Sequence, residues 1–249
     1  MTVAGIDIGS RTIKLVVLRS NSAFDSKIVD TGLDPLEQSK HLINGYRIDR
    51  IIATGYGRHL ANADFADDVM TEIKAYAIGA KHLFPNCRTV IDIGGQDSKV
   101  IAIGENRKFT DFAMNDRCAA GTGKFLEVMA KTLGFKIDDF GEQALSAECS
   151  VSINSMCTVF AESEVISLIS KGEHPKDIAL GLHESIVRRL ISMVKRVGLK
   201  ESIIFGGGVA KNRCIYRLLE KKVELPIIVP ENPQIVGALG AALEAASTR

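Results

Sequence analysis

The stretch "VIDIGGQDSKVI", residues 90–101, repeats a pattern that the chain has already used near its start, where residues 5–16 read "GIDIGSRTIKLV". Setting Ile6 against Ile91 aligns the two copies without a gap, at an offset of 85 residues. The alignment pairs identical residues: Ile6 with Ile91, Asp7 with Asp92, Ile8 with Ile93, Gly9 with Gly94 and Lys14 with Lys99. Packing alone does not select an aspartate at a strand end followed by glycine. The repeat therefore predicts two related α/β halves.

Each copy predicts a hairpin, because an apolar strand is followed by a glycine turn and a second strand rich in β-branched residues. If the halves pack about a pseudo-twofold axis, the two turns face each other across a cleft that suits a nucleotide. Gly9 and Ser10 would bring backbone N–H groups against one phosphate, and Gly94 with Gly95 would do so from the other side. Lys14 is a candidate counter-charge.

The two repeated aspartates, Asp7 and Asp92, carry the catalytic prediction. A carboxylate is repelled by a phosphate, so direct contact with the nucleotide is unfavourable. We expect these side chains to hold Mg²⁺ through water or to orient the attacking water.

A third glycine cluster, "FGGGVAKN" at residues 205–212, lies between a predicted strand and a predicted helix. This arrangement fits a nucleoside or α-phosphate at a helix N-terminus. It is not a Rossmann fingerprint, because G-x-G-x-x-G in a first βα unit is missing. The stretch "CAAGTGKF" is not a P-loop either, because Cys118 replaces the first glycine and Phe125 replaces the serine or threonine.

The rest of the chain is read from its apolar spacing. Helices are predicted within residues 69–85, from directly after Cys118 to about Leu133, from about Thr158 to Gly172, and over 177–198. The last quarter returns to alternating strands and helices. Residues 21–50 and 135–148 carry no motif, and we expect them to tune partner docking.

Composition excludes several classes of protein. The 249 residues include 31 basic and 30 acidic side chains without a long basic run, so no nucleic-acid partner is expected. No apolar run reaches the length of about 18 residues that spans a bilayer. The first residues are typical of a strand and turn rather than a signal sequence, so we expect a cytoplasmic location.

Five cysteines, an odd number, argue against a disulfide framework. Cys118 and Cys157 each precede a predicted helix, where positive potential favours an anionic cluster. Zinc prefers more ligands at short spacings, and a four-iron cluster usually takes four cysteines. A twofold dimer would supply the other two if Cys118 and Cys157 of both subunits converge on its axis. A packing thiol and a nucleophile are the alternatives for Cys118. The remaining cysteines have no partner spacing, and structural roles are expected for Cys87, Cys149 and Cys214.

The two hairpin repeats and the glycine cluster at residues 205–212, in this order, resemble the phosphate-1, phosphate-2 and adenosine motifs of the actin, Hsp70 and sugar kinase superfamily. The resemblance within that superfamily is closer still. The chain is similar to the BadF/BadG/BcrA/BcrD ATPase family, the activator ATPases of 2-hydroxyacyl-CoA dehydratases, benzoyl-CoA reductases and double-cubane cluster reductases. The motifs that carry this resemblance are "VIDIGGQDSKVI", "MNDRCAAGTGKFLEVMA", "SMCTVFAESEVISL" and "FGGGVAKN".

The resemblance implies an α/β fold of two ribonuclease H-like lobes around an ATP cleft. The lobes are expected at residues 1–86 and 87–249, with the C-terminal helix able to pack on the first. The resemblance also implies one 4Fe–4S cluster that bridges a homodimer through Cys118 and Cys157. A ferredoxin or flavodoxin would reduce it. ATP binding and hydrolysis would then change the angle between the subunits, and a partner dehydratase or reductase would accept one low-potential electron.

The predicted site residues fall into three groups. The catalytic group is Asp7, Asp92, Gln96 and Asp97. Contacts to ATP or ADP and its Mg²⁺ are expected from Gly9, Ser10, Arg11, Thr12, Lys14, Gly94, Gly95, Gly121, Thr122, Gly123, Lys124, Gly206, Gly207, Gly208 and Val209. The cluster ligands are Cys118 and Cys157. Gln96 and Asp97, and also Glu162 and Glu164, are expected to couple nucleotide state to cluster position, and ordinary solvated or capping carboxylates are the alternative for the two glutamates.

Two other functions stay open on the sequence. A small-molecule kinase of the same superfamily, of the N-acetylglucosamine type, would use the same ATP motifs but needs an aspartate facing a sugar pocket. An ATP-dependent redox sensor or scaffold would activate no partner enzyme. The chain itself does not identify the partner or its substrate, because the acceptor's pocket lies on another polypeptide.

Overall fold

The computed structural model describes residues 1–19, 24–105, 108–115, 118, 120–154 and 157–247. In this part of the chain the strands form two five-stranded sheets, each flanked by helices. Both sheets begin with one copy of the repeated hairpin.

The first sheet has the strand order β3-β2-β1-β4-β5. Its strands are β1 (Val3–Ile8), β2 (Thr12–Leu18), β3 (Phe24–Asp30), β4 (Arg50–Thr54) and β5 (Asp68–Val69). Three helices belong to the same stretch of chain: α1 (Pro35–Ile43), α2 (Arg58–Asn62) and α3 (Glu72–Leu83). Every residue of β1 is buried, because β1 lies between β2 and β4 and is covered by helices.

The second sheet has the order β10-β9-β6-β7-β8. Its strands are β6 (Thr89–Ile93), β7 (Ser98–Ile103), β8 (Phe109–Asn115), β9 (Ile203–Gly206) and β10 (Ile227–Ile228). The helices that follow along the chain are α4 (Gly123–Thr132), α5 (Ile137–Leu145), α6 (Thr158–Ser170), α7 (Pro175–Val197), a short 3₁₀ helix (Gly208–Lys211), α8 (Arg213–Val223) and α9 (Val236–Ser247).

The strand registers confirm the two predicted hairpins. Asp7 lies opposite Lys14 in the antiparallel pair β1–β2, and Asp92 lies opposite Lys99 in β6–β7. The sequence alignment therefore matches structurally equivalent residues. Each hairpin continues into a third antiparallel strand, β3 or β8, that the sequence reasoning missed.

The last helix of each half packs on the other half. Buried side chains of α3 join the core beneath β6, β7 and β9, while α9 packs on β1, β2 and β4. The two helices cross at glycines: a Cβ on Gly79 would overlap the Val236 carbonyl oxygen, and one on Gly240 would overlap that of Ala75. The first sheet thus receives the C-terminal helix, while the lobe boundary between residues 86 and 87 stays a prediction.

None of the helices in the described ranges is long and apolar enough to cross a membrane.

Candidate functional site

A cleft lies between the turns of the two hairpins and consists of two adjoining cavities of about 510 and 320 Å³. The cavities share six lining residues: Arg11, Thr12, Lys14, Tyr76, Gly94 and Gly95. Five of these were predicted as nucleotide contacts from the sequence. The structure therefore brings both copies of the repeated motif to one site.

The two glycine turns approach each other closely. A Cβ on Gly95 would lie 2.9 Å from Cβ of Arg11 and 3.0 Å from the Ser10 hydroxyl, so glycine is required there. The Gly9 and Gly94 amides close their own turns, and their contact with phosphate stays a prediction. Gly9 N–H donates to Thr12 O at 3.1 Å and Gly94 N–H donates to Asp97 O at 2.9 Å.

The two repeated aspartates are buried and form matching ion pairs. Asp7 is 4% exposed and Asp92 is 1% exposed. Lys14 Nζ lies 3.2 Å from Asp7 Oδ2, and Lys99 Nζ lies 3.2 Å from Asp92 Oδ2. Because Asp7 holds the Lys14 ammonium, a bound phosphate would share that charge with the carboxylate.

Lys99 is the centre of a larger charged cluster that the sequence reasoning missed. Its ammonium also lies 2.7 Å from Glu72 Oε2 and 2.8 Å from Asp97 Oδ2. Burial by itself would lower the pKa of Lys99, but attraction by Asp92, Glu72 and Asp97 raises it. Burial raises the pKa of Glu72 against the opposing attraction of Lys99. Gln96 is exposed and lines the smaller cavity, as Asp97 does.

Tyr76 is a second residue that the sequence did not reveal. It lies on α3, is 4% exposed and lines both cavities. Burial, followed by the charges of Asp92 and Asp7, raises the pKa of Tyr76 well above its usual range. The phenol is therefore neutral, and a hydrogen bond to the Asp92 carboxylate also raises its pKa. Its position depends on the crossing of α3 over the second sheet, which no local pattern predicts.

Two glycines with positive φ extend the repeat beyond the hairpins. Gly55 (φ +87°) follows β4 and Gly207 (φ +82°) follows β9. A Cβ on Gly55 would overlap Asp7 Oδ1, and one on Gly207 would lie 2.6 Å from Asp92 Oδ1. Each buried carboxylate is thus enclosed by a turn that only glycine fits.

The glycine triplet lies at the larger cavity, as predicted. Gly207, Gly208 and Val209 are lining residues. Gly206 is the last residue of β9 and is buried, so it supports the turn from within the sheet. Asn212, at the end of the same motif, also lines this cavity and caps α8 by accepting a hydrogen bond from Ile215 N at 3.0 Å.

The far wall of the larger cavity is formed by α5. Its lining residues are Ile137, Asp138, Gly141 and Glu142. An ion pair of 2.9 Å between Arg213 Nη1 and Glu142 Oε1 joins α8 to α5 at the wall. These four residues of the segment 135–148 thus line the cavity, and the expected docking role of the segment stays a prediction. Their segment carries no glycine or charge pattern that could have marked them.

The Cys118 loop is joined to the second hairpin turn. Gly123 N–H donates to Gly94 O at 2.9 Å, and Lys124 N–H donates to Gly95 O at 2.8 Å. Gly123 lines the larger cavity, Lys124 is exposed, Thr122 is buried at the N-cap position and Gly121 has a φ of +93°. The expectation that a helix begins directly after Cys118 was wrong, because α4 begins only at Gly123.

The two candidate cluster ligands are free thiols in different settings. Cys118 is half-buried, and its carbonyl accepts from Asn115 Nδ2 at 2.9 Å. Cys157 is exposed at the N-cap of α6, as predicted. Neighbouring motif residues lie outside the described ranges, namely Asp116, Arg117, Ala119, Ser155 and Met156. Among the described residues, no three histidine, cysteine or acidic side chains of one chain form a metal-ligand group.

Both glutamates of α6 have hydrogen-bond partners. Glu162 Oε1 accepts from the Thr132 hydroxyl at 3.2 Å, which joins α6 to the end of α4. Glu164 Oε1 accepts from Asn154 N–H at 3.1 Å. These contacts connect α6 to α4 and to the segment before Cys157, and the coupling role of the two carboxylates stays a prediction.

The remaining cysteines show no partner thiol in the described structure. Burial raises the pKa of Cys87 to about 11 and that of Cys214 to about 12, which keeps both thiols protonated. Cys149 is exposed, and its Sγ donates to Asp177 Oδ2 at 3.3 Å. This hydrogen bond raises the pKa of Cys149.

Known proteins resemble this chain over nearly its full length. It is 41% identical to the 2-hydroxyisocaproyl-CoA dehydratase activator of Clostridioides difficile, over 98% of this chain and 95% of that protein. The crystal structure of component A of the (R)-2-hydroxyglutaryl-CoA dehydratase of Acidaminococcus fermentans gives a TM-score of 0.90 at 40% identity, covering 98% and 97% of the two chains. The Clostridium difficile activator with bound ADPNP gives 0.88 at 41%, covering 98% and 94%.

The fold extends to more distant proteins. A ROK family glucokinase from Streptomyces griseus gives a TM-score of 0.61 at 13% identity, covering all of both chains, which shows the fold alone. The predicted actin, Hsp70 and sugar kinase fold is thereby confirmed. The ATPase family whose sequence pattern matches residues 4–245 is the one that the motifs indicated. This chain belongs to the BadF/BadG/BcrA/BcrD ATPase family.

Proposed function

We propose that the protein is an ATP-dependent one-electron donor that uses a 4Fe–4S cluster, bridging a homodimer, to deliver a low-potential electron to a partner enzyme. The pair of hydrogen bonds between the second phosphate turn and the start of α4 carries the proposal. Through Gly123 N–H to Gly94 O and Lys124 N–H to Gly95 O, the nucleotide cleft is joined to the loop that holds Cys118.

ATP is the nucleotide that the family membership and the ADPNP-bound relative support. The phosphates would lie between the two hairpin turns and the nucleoside against the glycine triplet and α5. Asp92 Oδ1 is buried without a hydrogen-bond partner in the described structure, so it fits a water of a Mg²⁺ ion. Mg²⁺ would neutralise phosphate charge there, while Asp7 and Asp92 orient water and Asp97 with Gln96 border the γ-phosphate side.

The cluster would be held by Cys118 and Cys157 of each subunit. The donor set fits, because both thiols are reduced, neither is deeply buried and thiolate is the usual ligand of iron–sulfur clusters. Two thiols per chain leave half of the four ligand positions to a second copy. When bound, a 4Fe–4S cluster supplies a one-electron redox couple.

The exposed surface of α6 supports the homodimer. The helix begins beside Cys157 and leaves large apolar side chains in solvent, with Val159 67% exposed, Phe160 68% and Ile166 54%. An apolar surface next to a ligand that needs a second copy fits a subunit contact. We assign this face of α6 to the dimer interface.

The partner is inferred from what the relatives are called. The relatives reported above are dehydratase activators or a dehydratase component, so we propose a 2-hydroxyacyl-CoA dehydratase or a benzoyl-CoA reductase-like or double-cubane enzyme as acceptor. A ferredoxin or flavodoxin supplies the electron that the acceptor receives.

The test is an anaerobic activation assay with a 2-hydroxyacyl-CoA dehydratase, reduced ferredoxin and Mg²⁺-ATP. We expect dehydratase activity only when all components are present. Asp92→Asn should keep its iron and lower activation by a factor on the order of 100, because a carboxylate that orients water is lost. The control is Asp111→Asn, on the exposed strand β8. Phosphorylation of an amino sugar by iron-free protein, without dehydratase activation, would contradict the proposal.

A further inference from the structure

The helix α7 contacts Asn212, a residue of the cavity wall, through His183, and another of its faces packs against the chain that leads to Cys157. We propose that α7 transmits occupancy of the nucleotide cavity to this segment, and that His183 is the positioning residue behind the cavity wall. The inference rests on the proposed function and names the element by which the nucleotide acts on the second cluster ligand.

A hydrogen-bond chain joins the middle of α7 to the cavity wall. His183 is fully buried, and its Nδ1 lies 2.7 Å from Ala179 O. A carbonyl only accepts, so Nδ1 carries the proton and Nε2 is the acceptor. Asn212 Nδ2 donates to Nε2 at 3.0 Å. His183 thereby fixes the Asn212 amide, whose oxygen caps α8 and which lines the larger cavity.

Burial and packing keep the His183 ring neutral and hold it in place. Burial lowers the pKa of His183 to about 4, so the ring is neutral at physiological pH and Nε2 stays an acceptor. The ring packs on Phe140 of α5 with centroids 4.7 Å apart. A Cβ on the adjacent Gly141 would lie 2.7 Å from Asn212 Oδ1, so α5, α7 and α8 meet at one point of the cavity wall.

A second face of α7 holds residues 148–154, here called the cysteine arm. The contacts recur every three or four residues along the helix, which places them on one face. Asp177 O accepts from Val151 N at 3.2 Å, Glu184 Oε2 accepts from Ser150 Oγ at 2.8 Å, and Arg188 Nη2 donates to Ile153 O at 3.3 Å. A Cβ on Gly181 would overlap the Val151 carbonyl oxygen.

The two sets of contacts lie within the same turns of α7. His183 and Glu184 are neighbours in sequence, so a shift of the helix at Asn212 also moves the point to which Ser150 is bonded. The arm then reaches α6 through Asn154 N–H, which donates to Glu164 at 3.1 Å. The two proposed cluster ligands are thus joined to different parts of the nucleotide site. Cys118 is joined to the phosphate turn, and Cys157 is joined through α7 to the cavity wall.

Hydrogen exchange followed by mass spectrometry tests this without requiring a cluster or partner. In the wild-type dimer, saturating ADP or a non-hydrolysable ATP analogue should slow exchange of residues 148–154 about fivefold. Asn212→Ser keeps a helix-capping hydroxyl but loses the donor to His183, and should abolish the slowing at saturating nucleotide. Ser150→Ala should also abolish it, while residues 207–213 stay protected. The matched cap variant Asp34→Ser, on α1, should behave as wild type.

Two results would overturn the role of α7. One is an arm whose exchange does not respond to nucleotide while residues 207–213 become protected. The other is a full response in Asn212→Ser or Ser150→Ala at saturating nucleotide. The iron content of the same preparations separates this inference from the proposed function. If the protein lacks iron but nucleotide still slows exchange of the cysteine arm, the electron-donor proposal fails and the role of α7 stands.

Discussion

At the scale of the residue, the site is dominated by polar groups that are buried but paired. Asp7 and Asp92 each hold a lysine across the hairpin, and the pairing could be predicted from the sequence because both members repeat at the same offset. Glu72 and Tyr76 could not be predicted, because they come to the carboxylates only through the packing of α3. Sequence reasoning thus found the residues that belong to a local motif and missed those that tertiary packing supplies.

The buried neutral histidine gives a prediction on the pH dependence of stability. An unfolded histidine titrates near pH 6.5, whereas burial lowers the pKa of His183 to about 4. The unfolded state therefore binds more protons between these values, and stability falls as the pH is lowered through this window. From pH 7 to pH 5 the free energy of unfolding should drop by about 2 kcal/mol more in wild type than in His183→Gln. Urea unfolding at the two pH values measures this drop, and an equal drop in wild type and in His183→Gln would contradict the prediction.

At the scale of the element, the helices were easier to predict than their boundaries. Apolar spacing marked α3, α6 and α7, and Gly172, with a φ of +88°, follows the end of α6 as expected. The start of α4 was misplaced because Gly121, between Cys118 and Gly123, permits either a helix start or a turn. Here hydrogen bonds to the second hairpin turn, which are not local in sequence, decide in favour of the turn.

The crossing of α3 and α9 gives a prediction on stability. A Cβ on Gly240 would overlap the backbone oxygen of Ala75, and backbone cannot rotate away as a side chain does. Gly240→Ala should lower the free energy of unfolding by about 3 kcal/mol or more. Ala246→Ser, at an exposed position of the same helix, should change it by less than about 0.5 kcal/mol. Equal urea-unfolding curves for the two variants would show that the helices do not cross this closely.

At the scale of the whole molecule, the repeated hairpins place the nucleotide cleft between two halves, and the cluster is proposed between two copies. The first arrangement follows from the 85-residue repeat and its two registers. The second cannot be derived from one chain, because half of the ligands and the surface covering α6 would belong to a second copy. The apolar face of α6 is the feature of this chain that indicates a missing contact.

This assignment of α6 predicts the effect of a charge in its first turn. Phe160→Asp should convert the dimer to monomer in sedimentation experiments, because a carboxylate at an apolar contact must lose its hydration. Leu33→Asp replaces a fully exposed apolar side chain outside α6 and should leave the dimer intact. If Phe160→Asp sediments as a dimer like wild type, the interface lies elsewhere than on this face of α6.

The most direct test of the central claim is the iron and acid-labile sulfide content per dimer, measured anaerobically in wild type and three cysteine variants. We expect about four irons per dimer in wild type and in Cys149→Ser, because the proposed 4Fe–4S cluster bridges two subunits. We expect loss of the cluster in Cys118→Ser and in Cys157→Ser. Iron-free wild-type protein after anaerobic reconstitution, or full iron content in either ligand variant, would contradict the account.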